Sequence, residues 1–156
     1  MATLHKLCND GALIKLDPKP FLKRNMPVRT MYFLPRAADV VRNEIEQWAA
    51  EYADENFTPK IQFFTLIKRF LRGDNLANPT DFHIMNPSGK DIWELKTADL
   101  RFFGWFYEQD CYICSNIGNA NSIKADHQYS GYRDEACYLR QSIDLNEPKC
   151  LSGVNH

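Results

Sequence analysis

The chain reads as an α+β domain: an antiparallel sheet with two N-terminal helices and a C-terminal helix. Three patterns predict this. Apolar residues recur at helical spacing in two early segments, three β-rich runs follow one another after residue 91, and a last helical period comes behind them. With 156 residues, 44% apolar and 25% charged, the composition is that of one globular core and excludes a disordered chain.

Residues 1–27 mix Lys15, Lys19, Lys23 and Arg24 with prolines and hold no sustained period, so they read as an extension lying on the domain. The run "VRTMYFLP" (28–35) predicts a strand stopped by Pro35. From Ala37, the residues Ala38, Val41, Ile45, Trp48 and Tyr52 step by 3 and 4, which predicts an amphipathic helix. Thr58 and Pro59 then supply an N-cap and a first-turn proline. Ile61, Phe64, Ile67 and Leu71 form the inner stripe of this second helix and Gly73 its stop, and the short link makes the two helices an antiparallel pair. Residues 74–89 are turn-rich, with a short extended piece around Phe82 to Met85. "DIWELK", "LRFFGWFY" and "CYICSNI", joined by short polar links, predict a three-strand meander. Ser130 caps a closing helix with Tyr132, Ala136, Leu139 and Ile143 on one side, and 146–156 form a tail to the 28–145 domain. The expected core is Val41, Ile45, Trp48, Ile61, Phe64, Ile67, Trp93, Leu95, Phe102 and Phe106.

No apolar run reaches the roughly 18 residues of a membrane span, and no signal-like start is present, so a cytoplasmic protein without a membrane partner is expected. A net charge of -1 carries no chain-wide footprint for nucleic acid, which leaves only local patches. Positive charge gathers in 1–27 (five basic, two acidic) and 58–80 (four basic, one acidic), so a polyanion would be held by the extension and the second helix. Five irregularly placed cysteines read as reduced thiols. Cys111 and Cys114 have the C-x-x-C spacing, but on a strand positions i and i+3 face opposite ways, and no second ligand pair follows. They read as small apolar strand residues, and neither a metal nor a cofactor is expected.

Arg101, Phe103, Trp105 and Tyr107 share one face of their strand, and pairing would gather Lys96 beside Arg101. Lys124, His127, Tyr129, Tyr132 and Arg133 follow the last strand and would close the same concavity. Cations hold phosphates, aromatic faces stack bases, and a Tyr, Lys or His moves a proton during attack by a ribose 2′-hydroxyl. Lys96, Arg101, Lys124, His127 and Tyr129 are therefore the catalytic candidates, and Trp105, Tyr107 and Arg133 the RNA-binding ones. The same residues also fit a plainer pattern, with Arg101 and Lys96 solvated on an open sheet face and Trp105 and Tyr107 packed beneath a helix.

The stretches "MYFLPRAADVVRNEI", "DIWELKTADLRFFGWF" and "KADHQYSGYRDEACYLRQSI" resemble the first strand and helix, the central strand pair and the closing segment of the RelE/ParE toxin superfamily. The phage-derived HigB-like branch is nearer still, and the resemblance spans residues 28 to 144. It implies a compact RelE-like microdomain, the toxin of a type II toxin-antitoxin pair, that cleaves ribosome-bound mRNA without metal and is neutralised by an antitoxin protein. By that pattern Lys96 matches the basic residue ending the "WELR" strand, Arg101 the arginine of the next strand, and Lys124 the lysine after the last. Two features depart from it. Residues 81–156 hold 7 basic against 11 acidic residues, and the family's "KK" is reduced to Lys124 alone. The alternative is a catalytically inactive RelE-like module that binds a protein target, such as a phage or prophage inhibitor.

Overall fold

The computed structural model describes residues 1–24, 26–77 and 80–155; positions 78 and 79 of the expected loop lie outside them. Helix α1 (Leu4–Asn9) is capped by Thr3, whose side chain accepts from Lys6 N, and strand β1 (Ile14–Lys15) follows. Strand β2 (Thr30–Phe33) leads into α2 (Pro35–Asp39). Helix α3 is Pro59–Leu71, with Thr58 accepting from Ile61 N as its cap. Strands β3 (Phe82–Ile84), β4 (Trp93–Lys96), β5 (Leu100–Glu108) and β6 (Cys111–Asn119) precede α4 (Ala120–Ala125) and α5 (Tyr129–Ser142).

These strands form one six-stranded sheet in the order β1-β2-β6-β5-β4-β3. The α+β class and the β4-β5-β6 meander are as expected, but the sheet is mixed. Strand β2 runs parallel to β6, Thr30 opposite Cys111 and Phe33 opposite Cys114, because the chain crosses over α2 and α3 before returning. The extension is more than a wrapping, since β1 pairs antiparallel with β2.

Helices cover both faces. One core joins α2 and α3 to Phe102, Phe106, Tyr112, Cys114 and Ile117; the other, under α1 and α5, holds Phe103, Trp105, Cys111 and Ile113. Cys111 and Cys114 thus face opposite sides, as strand alternation required. An irregularity between Phe103 and Gly104 sets Phe103 opposite Asn116 and Gly104 opposite Cys114, leaving Ser115 as the extra residue, its hydroxyl donating to Phe103 O at 2.9 Å. A Cβ on Gly104 would lie 2.0 Å from the Ile113 carbonyl oxygen, so only glycine fits. The bulge turns Asn116 toward α5 and Ile117 into the α3 core.

Three helical expectations need correction. The first helix does not run to Tyr52: after Asp39 it widens into a π turn (Val40–Glu44), tightens into a 3-10 turn (Ile45–Gln47), and is extended at Trp48. The backbone N–H groups of Glu51 and Tyr52 donate instead to Asp99 Oδ1, so they cannot continue a helical ladder. Trp48 is half-buried and Tyr52 exposed. In α3 the inward stripe is Phe63, Leu66, Ile67 and Phe70, while Ile61 and Phe64 are 46% and 42% exposed. Spacing i, i+3, i+4, i+7 is the stripe that meets a flat sheet, and the Ile61–Phe64 row lies off it. At α5, the residue before the first turn is Gln128 rather than Ser130, because a tight turn with His127 at φ 52° starts the helix two residues earlier.

Candidate functional site

The β4–β5 turn is held by α3. Gln62, fully buried, donates to Asp99 Oδ2 at 2.7 Å and to Phe57 O at 2.8 Å, and its Oε1 accepts from Thr97 Oγ1 at 2.6 Å and Asp99 N at 2.9 Å. Burial alone would raise the Asp99 pKa, but this donor and the backbone N–H groups of Tyr52, Glu51 and Ala53 together hold it below the usual carboxylate value. Every polar atom of the clamp has a partner in a dry setting, so the turn is rigid.

That turn fixes Arg101. Its Nη1 donates to the carbonyls of Thr97 and Leu100, the latter at 2.8 Å, and its Nε donates to the Tyr129 hydroxyl at 3.1 Å. Lys96 stands directly opposite Arg101 in the ladder. Both line a cleft of about 580 Å³ with Thr80, Asp81, Thr97 and Ala98. Asp81 also meets Arg69, so its charge is shared with a cation of α3.

One side chain of this face was not singled out from sequence. Glu94, 4% exposed, lies opposite Phe103 on one side and His83 on the other, one same-face step inward from Lys96. Burial raises its pKa above the ordinary glutamate value, against the opposing fields of Arg101, Lys96, His83 and Lys124. The signal was in "WELK", where a carboxylate alternates with core residues on a strand that would be covered on both sides.

The structure thus brings Lys96, Arg101 and Tyr129 together and disperses the rest. Lys124 is exposed and stacks over the Tyr52 ring at 4.5 Å. His127 lines a different cleft, with Asn116, Tyr132 and Glu135. Arg133 donates to Asn86 O at 2.8 Å and meets Asp134. The expectation that Trp105 and Tyr107 stack bases is corrected. Trp105 is fully buried with its indole N–H on Lys149 O at 2.9 Å, and the Tyr107 hydroxyl donates to Asn146 O, because α5 and the tail cover this face. Phe103 likewise stacks on Tyr132 with ring centroids 4.7 Å apart.

Among the described residues no group of His, Cys, Asp and Glu has an arrangement fit to hold a metal, and no helix is long and apolar enough to cross a membrane. Burial pushes the Cys111 thiol up to about 11 and raises Cys114 as well, the opposite of what a ligand or redox pair requires. The chain matches no protein-family model, no curated protein and no solved structure.

Proposed function

We propose that this protein is a metal-independent endoribonuclease of RelE type, a toxin cutting ribosome-bound mRNA and held in check by an antitoxin. The observation that carries this reading is the buried Glu94, with its raised pKa, beside the Lys96–Arg101 pair and the Arg101–Tyr129 hydrogen bond. RNA self-cleavage needs one group of each kind. Glu94 takes the proton of the 2′-hydroxyl as its oxygen bonds to phosphorus, a task suited to a carboxylate more basic than usual. Arg101 and Lys96 hold the non-bridging oxygens where negative charge builds up. The Tyr129 hydroxyl, whose oxygen already accepts from Arg101, gives its proton to the 5′ oxygen as the P–O5′ bond breaks. The products are a 2′,3′-cyclic phosphate and a 5′-hydroxyl. His127 and Lys124 stand outside this set.

Asp81 in the same cleft, and the acidic balance of residues 81–156, favour the second reading of a module that binds a protein target. Purified protein incubated with ribosomes and mRNA, with cut ends mapped, separates the two. The nuclease leaves cyclic-phosphate ends that Arg101→Gln abolishes; intact mRNA with the wild type defeats it.

A further inference from the structure

On the other side of the sheet, the extension folds against the outer face of α3 and makes a second groove, of about 720 Å³. The Phe21 ring lies 4.8 Å from the Phe64 ring at a tilt of 32°, and Phe64 keeps 42% of its surface exposed. Lys23, Arg24 and Lys68 surround the two rings. None of these three cations has an ion pair among the described residues, whereas Lys60 and Arg69 of the same helix, and Arg72 at its C-terminal cap, are paired with Glu46, Asp81 and Asp74.

The groove also differs in sign from its neighbours. Its lining contains no carboxylate, while the other clefts include Asp81, Glu135 or the pair Asp91 and Glu147. Unpaired cations around an open aromatic face are complementary to a strand of phosphates whose bases are free to stack. A duplex would hide its base faces, and an acidic peptide would leave the aromatic surface unused. We infer that this groove binds single-stranded RNA through its backbone, with Lys23, Arg24 and Lys68 on phosphates and a base against Phe64. It is a binding surface separate from the Glu94–Arg101 site, and it stands whether or not that site cuts RNA.

The test uses the full chain and a fluorescent single-stranded oligouridylate, titrated at several salt concentrations. The triple variant Lys23→Gln, Arg24→Gln, Lys68→Gln should bind at least about tenfold more weakly at low salt, with the slope of log affinity against log salt reduced by about two. A charge-matched control, Lys6→Gln, Lys15→Gln, Lys90→Gln, should keep both values near wild type. Phe64→Ala should weaken binding at unchanged salt slope. The inference is overturned if the groove variant binds as the wild type does, if the control loses as much, or if polyglutamate binds and oligouridylate does not.

Discussion

Arg101 Nε donates to the Tyr129 hydroxyl at 3.1 Å, so a strand residue and the first residue of α5 share one hydrogen bond at the mouth of the cleft. Tyr129→Phe removes the acceptor and the proposed proton donor but keeps the ring against Phe103. Cleavage should fall on the order of a hundredfold, with a stability loss of no more than about 1.5–3 kcal/mol, as for a hydrogen bond to a charged group. Single-turnover cleavage and a urea midpoint on the same preparation check both. A loss of activity matched by global unfolding would assign Tyr129 a structural role only.

Glu94 has a folded-state pKa raised by burial, so between its unfolded and folded values the native chain binds the extra proton. Its contribution to stability is therefore present below the ordinary glutamate value, about 4.3, and is lost as pH rises toward the folded one. Glu94→Gln should lack that decline, and its stability against pH should be flatter just above the ordinary glutamate range. Activity should show the converse: the acidic limb of the wild-type rate profile lies above the usual carboxylate range and vanishes with the variant. Parallel wild-type and variant stability curves would mean that Glu94 is not the titrating group.

Asp99 behaves with the opposite sign. Its depressed pKa gives stability that is present above the unfolded value and lost as pH falls through the folded one. Gln62→Ala strands Asp99 N and takes a donor from Asp99 Oδ2 in a buried setting, and each such group costs about 1–3 kcal/mol. A stability lowered by roughly 2–4 kcal/mol, read by denaturant unfolding, is expected, with Arg101 released from its turn and cleavage reduced as well. Wild-type stability in Gln62→Ala would refute the clamp.

Phe70 and Phe64 share one helix and should respond very differently. Phe70, fully buried against Phe82, Phe106 and Tyr112, should cost about 3–5 kcal/mol on truncation to Ala. Phe64→Ala should stay within about 1 kcal/mol, as surface changes do. Chemical denaturation of both variants checks the phase of α3.

Cys111 and Cys114 should resist iodoacetamide at pH 8 until the protein unfolds, since burial keeps both as thiols. Mass mapping of native and denatured samples decides it. Alkylation of either in the native state would contradict the sheet's double covering.

The meander, the two-sided placement of Cys111 and Cys114 and the Lys96–Arg101 pair were legible because period 2 is a local property of the chain. The phase of α3 was not. "IQFFTLIKRFL" is apolar around most of the helix, and both Ile61–Phe64–Ile67–Leu71 and Phe63–Leu66–Ile67–Phe70 can be drawn on it. Only the second matches the sheet. Strand β5 misled in a similar way, because alternation names the two faces but not whether a later helix will cover the second. Trp105 therefore read as a platform when it is core, and Glu94 was not singled out. Asp99 ended the first helix from 47 positions downstream of Tyr52, a distance no local pattern spans.

Strand β2 sits between β1 and β6, and its main partner lies 81 positions further along, from Thr30 to Cys111. During synthesis at about 5–20 residues per second, Met31 and Phe33 therefore wait some 4–16 s for their ladder to be made. Through that interval the nascent chain trails an apolar strand that the two-residue β1 alone can pair, on one edge. A ribosome stalled before β6 would hold a product prone to sticking to its neighbours and dependent on a chaperone.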